Sequence, residues 1–387
     1  MNKLSIYELI VTNIDVDGKL PQTFSLEEEN DPNQIKFMIG AMDGILAYHS
    51  AGGNEKKAKK VITLLRKYFE TGKEKYIAGV ELVLSDNSTI SVIDPIRQNI
   101  RDNQKDINMG RIFELSLHIV KTSDNIEMVK LGMGLLGLFD IDESDEVRGV
   151  ITTLSLYEEF TLYAVAAAVN WASGNDVIYK IAKRFTGWGK IHAVEFLEPE
   201  SEEIREWILR NGCSNDVMDS YLGLTCAIKG DLISALRQDT MDDTLFDSIV
   251  IIVDALLNEG PVLGISVYEH AEEALLLFMH YAQKYVDDIE NLWCILNVRD
   301  WAENSEIDYK EEILSQCDEI ITQLHWKEKI VNAITECDNE FKLSSAVNAA
   351  SSIGIDISDE LFTIFKSDPI KYSWYSQLLE NSNIAIE

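Results

Sequence analysis

The sequence predicts an all-α protein, an α-solenoid of antiparallel helix pairs interrupted by one short β-hairpin near residues 80–93. Three observations carry that expectation. Apolar residues recur at three- and four-residue steps over most of the chain, which is the period of one helix face. Only 6 prolines occur in 387 residues, and a proline inside a helix removes a hydrogen bond and clashes with the preceding turn. Asn or Asp precedes an apolar residue at several well-separated points, as a helix N-cap does. Two parts are expected: residues 1–95, helical and carrying the hairpin, and residues 96–387, the helical-repeat array.

Taken in order, residues 1 to about 33 read as irregular, with a short helix or strand from Ile6 to Ile14 and turn signals at Asp17-Gly18 and Leu20-Pro21. Asp15-Val16-Asp17-Gly18 opens like a calcium loop, but no glutamate stands at the closing position, so a turn is expected. From Asn33 the helical period begins, with Ile35, Met38, Ile39, Met42, Ile45 and Leu46 on one face. Gly40 and Gly44 sit in that pattern four apart, a spacing that admits a close neighbour. After Gly52-Gly53, Glu55 to Phe69 is amphipathic, with Ala58, Val61, Ile62, Leu65 and Phe69 as its stripe. Val80 to Leu84 and Thr89 to Ile93 are rich in β-branched residues and flank Asp86-Asn87-Ser88, which is the hairpin signal. From residue 108 onward helix follows helix, beginning with 108–121, 125–139 and 145–156 and closing with 340–353, 358–366 and 370–380. Asp124-Asn125-Ile126, Asn175-Asp176-Val177 and Asn215-Asp216-Val217 mark helix starts about 50 and 40 residues apart, near the repeat of about 40–47 residues of stacked helix pairs. In this periodicity the stretch 108–366 resembles HEAT and armadillo arrays. The resemblance implies a solenoid with a concave binding face.

Composition narrows the function classes. Lys and Arg total 34 against 66 Asp and Glu, a net charge of −32. A field of that sign repels phosphate backbones and anionic lipid surfaces, so no nucleic-acid partner and no membrane partner are expected. Apolar runs such as Leu131 to Phe139 and Ile249 to Leu257 fall short of the about 20 residues that span a bilayer. The 5 cysteines, Cys213, Cys226, Cys294, Cys317 and Cys337, lie in helical patterns without C-x-x-C spacing, which fits buried thiols in a reducing cytoplasm.

Templates for catalysis do not match. Gly132-Met133-Gly134-Leu135-Leu136-Gly137 has the letters of a dinucleotide fingerprint but lies inside an apolar helix, where helix packing is the expected role. The histidines, His49, His118, His192, His270, His280 and His325, have no metal-ligand spacing. No nucleophile elbow and no phosphate-binding loop occur. Neither a metal nor another cofactor is expected.

One segment stands out. In Gly187-Trp188-Gly189-Lys190-Ile191-His192-Ala193-Val194-Glu195, a tryptophan lies between glycines at a helix start, and His192 and Glu195 share a face. Trp171 and Trp207 flank it, one helix away on either side. On a concave face Trp188, Lys190, His192, Glu195, Trp171 and Trp207 would form a partner-binding surface. Alternatively Trp188 and Trp171 are core and His192 pairs with Glu195. Asp43 and His49 are secondary candidates, since a charge at Asp43, on or beside an apolar stripe, must be exposed, paired or functional.

A second resemblance covers most of the chain. Ser5-Ile6-Tyr7-Glu8-Leu9-Ile10-Val11-Thr12-Asn13, Gly40-Ala41-Met42-Asp43-Gly44, and Gly187 to Glu195 with Leu197-Glu198-Pro199 resemble bacterial proteins labelled limonene hydroxylase. That resemblance implies NAD(P)H-linked oxidation of monoterpenes such as limonene or carveol. The residues themselves point instead to a non-catalytic scaffold that binds a protein or peptide with a basic patch. The oxidoreductase is the alternative.

Overall fold

A computed structural model describes residues 4–26, 37–50, 53–85, 89–142, 144–260, 262–335 and 340–367. All regular structure among them is helical, and no strand occurs. The chain divides into two compact units, Met1–Ile204 with Ser214–Met218, and Arg205–Cys213 with Asp219–Glu387. The expected boundary after residue 95 falls within a helix of the first unit.

The first unit holds α1 (Ile6–Asn13), α2 (Ala41–His49), α3 (Glu55–Thr71), α4 (Lys75–Leu84), α5 (Thr89–Asp102), α6 (Met109–Thr122), α7 (Ile126–Leu136), α8 (Asp145–Leu154), α9 (Thr161–Ala168), α10 (Gly174–Ala182) and α11 (Trp188–Phe196). Helix α12 (Glu202–Trp207) runs from the first unit into the second and continues as a π-helical stretch, Ile208–Gly212. The second unit holds α13 (Ser220–Lys229), α14 (Leu232–Leu236), α15 (Asp243–Leu257), α16 (Ala271–Tyr285), α17 (Ile289–Asn304), α18 (Lys310–Ile321), α19 (Trp326–Thr335), α20 (Glu340–Ser352) and α21 (Ser358–Ser367). The expected helix at 370–380, the Glu27-Glu28-Glu29 cluster and Cys337 lie outside the described residues.

Local chemistry sets many of the helix starts. Ser5 and Glu8 form a capping box on α1, the Glu8 N–H donating to Ser5 Oγ and the Ser5 N–H to Glu8 Oε2. Asn54, Asn108, Asn125, Ser144, Asp242 and Asp288 accept from the first-turn amides of α3, α6, α7, α8, α15 and α17. Of the three capping signals expected at 124–126, 175–177 and 215–217, only Asn125 caps a helix. Asn175 lies within α10 and bonds both ways to the Glu198 backbone. Asn215 closes its own turn by accepting from Val217 and Met218.

The hairpin expected at 80–93 is corrected. Val80 to Leu84 belongs to α4 and Thr89 to Ile93 to α5, with residues 86–88 outside the described set. The buried positions are Val80, Val83 and Leu84, then Thr89, Val92, Ile93, Ile96 and Ile100, which is helical spacing. Packing of that stripe overrides the strand preference of β-branched side chains. Pro95 sits inside α5 and cannot donate to the Ser91 carbonyl; that carbonyl instead accepts the Asn54 N–H at 2.6 Å. Gly53 lets the two segments approach, for a Cβ there would lie 2.6 Å from Pro95 Cγ.

Helix α7 is the centre of the first unit. It is buried from Glu127 to Leu136 and packs against α4, α5, α6 and α9. Its glycines serve that packing, as expected: a Cβ on Gly132 would meet Val120 Cγ1 at 2.7 Å, and one on Gly134 would meet Ile93 Cδ1 at 2.5 Å. In the second unit α15 packs on α13 and α17, and the Phe246 and Phe278 rings stack at 5.7 Å between centroids. Trp326 is fully buried and donates from Nε1 to the Ile320 carbonyl at 2.7 Å. Cys213, Cys226, Cys294 and Cys317 are free and buried. Among the described residues no helix is long and apolar enough to cross a membrane.

Candidate functional site

The segment from Gly187 to Glu195 forms α11, and most of it lies in the core of the first unit. Trp188, Lys190 and His192 are 3%, 8% and 4% exposed, whereas Glu195 is exposed. Trp171 is also buried; Trp207 is half-buried and belongs to the second unit. The six candidates therefore do not share one accessible face. Trp188 turns inward because α2 makes room for it. The ring lies over Gly44, where a Cβ would stand 2.1 Å from Trp188 Cε3, and at Gly40, whose φ is 78°, a Cβ would come within a tight 3.3 Å of Trp188 Cβ. The four-residue spacing of these glycines thus admits a close neighbour, and that neighbour is the indole.

His192 lies between aromatic rings, with centroids 5.9 Å from Trp188 and 6.4 Å from Tyr48. Its Nε2 is buried without a hydrogen-bond partner. Burial pulls its pKa down to about 4, so the imidazole is neutral at pH 7. With no partner, His192 Nε2 makes no hydrogen bond to Glu195. Lys190 instead donates from Nζ to the Ser214 carbonyl.

A constellation that spacing alone does not reveal lies beside this segment. Lys130, on α7, is 1% exposed, and three carboxylates surround its ammonium: Asp43 Oδ2 at 2.8 Å, Glu127 Oε1 at 3.0 Å and Glu159 Oε1 at 2.5 Å. The outer oxygens of the two glutamates do a second task. Glu127 Oε2 accepts the Thr89 N–H that opens α5, at 2.9 Å, and Glu159 Oε2 accepts the Gly40 N–H at the start of α2, at 2.7 Å. The neighbouring Glu158 accepts the Gly189 N–H in the first turn of α11, at 2.8 Å. Three helix N-termini, whose amides have no partner within their own helices, are thus satisfied by carboxylates from elsewhere in the chain.

The electrostatics follow from burial. Asp43 loses hydration, which raises its pKa to about 6; Lys130 opposes this, and Glu159 and Glu127 add to it. Burial alone would lower the Lys130 pKa, but Asp43, Glu159 and Glu127 outweigh it and drive the value up, so Lys130 is charged. Tyr163 is sealed against the cluster, and burial, then the Asp43 charge, push its phenol well above the ordinary range. Burial also raises Glu158, against the pull of the Gly189 amide. The place between the carboxylates that a metal would occupy is filled by an ammonium. Among the described residues no group of three or more His, Cys, Asp or Glu side chains is arranged to hold a metal ion.

Asp43 is thus paired and buried, and His49 is exposed at the far end of the same helix. Glu127, Lys130, Glu158, Glu159 and Tyr163 were not singled out by spacing. One signal for two of them is present in the sequence: Glu127 and Lys130, at i and i+3, are the charges of a helix that is otherwise apolar. The glycines of the Gly132 to Gly137 stretch are spent on packing, and its amides lie within or directly after α7, away from any strand–helix turn. What the cluster does chemically is crosslink α2, α5, α7 and the turn at 158–160 through one buried cation. Comparison with known protein families, with curated proteins and with solved structures yields no match to this chain.

Proposed function

We propose that the protein is a non-catalytic helical scaffold, stacked in HEAT-like pairs in the cytoplasm, that binds a protein or peptide partner with a basic patch. The observation that carries this reading is the outward face of α2. Met42, Ile45 and His49 are exposed at i, i+3 and i+7, and Met38 and the adjacent Phe37 extend the stripe N-terminally. An apolar stripe of this kind left facing water is a common mark of an interaction surface. The inner face of the same helix is fixed by Asp43 on Lys130 and by Gly44 on Trp188. A helix held that firmly presents its outer face without the ordering cost that weakens a flexible site. The net charge of −32 selects a basic partner. Successive packing of α3 on α4, α6 on α7, α10 on α11 and α17 on α18 supports the stacked arrangement.

The experiment is capture from the native cytosol with wild-type protein and with Met42→Lys/Ile45→Lys. The expected result is a defined set of partners released by salt and lost with the double variant, at unchanged melting temperature. An identical set on both baits rejects the stripe. The alternative, monoterpene oxidation, is tested by NAD(P)H consumption with limonene or carveol, where steady turnover would displace the scaffold reading.

A further inference from the structure

The first unit contains a cleft of about 550 Å³ that none of the groups above occupies. Its walls come from α2, α5, α9 and the end of α11, and its volume lies in the range of small-molecule sites. The walls are mainly apolar, formed by Ile90, Ile93, Leu162, Ala166, Val169 and Phe196. Val169 and Phe196 are themselves exposed. Tyr163 and Gly134 also line it.

The charges in this cleft are unusual for so acidic a chain. Arg97 and Arg101 both line it, one helical turn apart on α5, against a single acid, Asp94. Asp94 is 84% exposed and reaches Arg97 Nη1 only at 4.0 Å. Arg97 is mostly buried; its Nη2 has one long contact to the Gly137 carbonyl at 3.4 Å, and its buried Nε has no partner. Burial, and then the like charge of Arg101, lower the Arg97 pKa. A guanidinium offers five donors, and the one on the buried Nε has no acceptor in the protein. Along α5 the apolar residues Ile90 and Ile93 precede Arg97 by one to two turns, so the cationic and apolar parts of the cleft are on the order of 6–10 Å apart.

We propose that this cleft binds a small amphipathic carboxylate, with its head on Arg97 and Arg101 and its alkyl tail along Ile90, Ile93, Leu162 and Val169. A carboxylate supplies the planar pair of acceptors that a guanidinium fork matches, and it separates the like charges of the two arginines. The six apolar side chains offer a tail a surface that water wets poorly. This site is separate from the outward stripe of α2, so its failure leaves the scaffold reading intact.

The test is calorimetric titration of the full chain with sodium octanoate and, separately, with 1-octanol. The expected result is saturable one-to-one binding of octanoate, with 1-octanol at least tenfold weaker. Arg97→Gln lowers octanoate affinity at least tenfold and leaves 1-octanol unchanged. Arg101→Gln, at an exposed position, lowers it to a smaller extent and serves if the Arg97 variant does not fold. Ala166→Trp, filling the cleft from a half-exposed site, removes binding of both. Equal affinity for octanoate and 1-octanol, octanoate affinity unchanged by both arginine variants, or no saturable binding by wild type overturns the proposal.

Discussion

Asp43 and Asp242 carry the same side chain and end at opposite extremes. Asp43, in the first unit, is buried beside Lys130 and its pKa rises to about 6, because lost hydration outweighs the ion pair. Asp242, in the second unit, lies at the surface, where Arg210 grips it with two nitrogens, Nη1 at 3.0 Å and Nη2 at 2.7 Å. Hydrogen bonds from Arg210, Thr244 and the Leu245 amide hold its pKa well below the usual carboxylate range. The lysine that pairs with Asp43 is shared among three carboxylates; the arginine that pairs with Asp242 is shared with one other, Glu206, at 3.1 Å. The difference teaches that proximity to a cation does not by itself stabilise an anion. What decides the sign is how much water the anion surrendered to reach that cation.

The largest test removes the buried cation. Lys130→Met leaves three carboxylates facing one another in a dry site, and breaking a buried pair from one side costs about 3–5 kcal/mol. Urea unfolding should record that loss in the first unit. A loss under about 1 kcal/mol would mean that the cluster is hydrated and that Asp43 resembles Asp242 after all.

Next in size is the pH dependence. Asp43 binds its proton more tightly folded than unfolded, so its contribution to stability is largest below about pH 4 and falls as pH rises to about 6. His192 has the reverse sign, since its folded pKa is near 4 against about 6.5 unfolded; its contribution is complete above pH 6.5 and is lost as pH falls. Each shift is worth about 3 kcal/mol, and the two largely mask each other between pH 4 and 6. Asp43→Asn should therefore make stability climb with pH across this window, by about 3 kcal/mol, and His192→Phe should make it fall with pH by a similar amount. Asp242→Asn should flatten the acid limb instead, because a depressed carboxylate stabilises above its unfolded pKa and loses that effect on acidification. Parallel unfolding curves for wild type and Asp43→Asn at pH 4 and pH 6 would contradict the raised pKa.

Smaller still is the packing term. Gly44→Ala pushes a methyl into the Trp188 ring and should cost about 1–3 kcal/mol, with a shift in tryptophan emission as the indole moves. Smallest is Arg210→Ala, which cuts a surface pair and should cost less than about 1 kcal/mol by urea unfolding, an effect reduced further by salt.

Much of this architecture can be read from the chain. The Ala58, Val61 and Leu65 stripe of α3 and the Asn125 cap of α7 are local signals, and the protein uses both as local physics dictates. The segment at 80–93 misleads because Val80, Val83, Val92 and Ile93 favour a strand in isolation and a helix only once α3 and α7 cover them. The site is harder to read. Residues 43, 127, 130 and 159 are separated by as much as 116 positions (159 − 43), and no spacing rule joins them. Trp188 between two glycines reads equally as a ring that projects or one that folds inward; the glycine that decides is Gly44, on another helix, which opens the space it turns into. Lys130 is the exception, a cation within an apolar run whose burial demands partners even before these can be named.

The borrowed carboxylates at Gly40, Thr89 and Gly189 have a consequence for the order of assembly. None of the amides that Glu159, Glu127 and Glu158 accept can be satisfied in this way until α7 and the turn at 158–160 have docked. Helices α2, α5 and α11 therefore cannot mature one at a time. Their first turns should lose protection against hydrogen exchange together, in a single opening event of the first unit, rather than fraying independently as ordinary helix ends do.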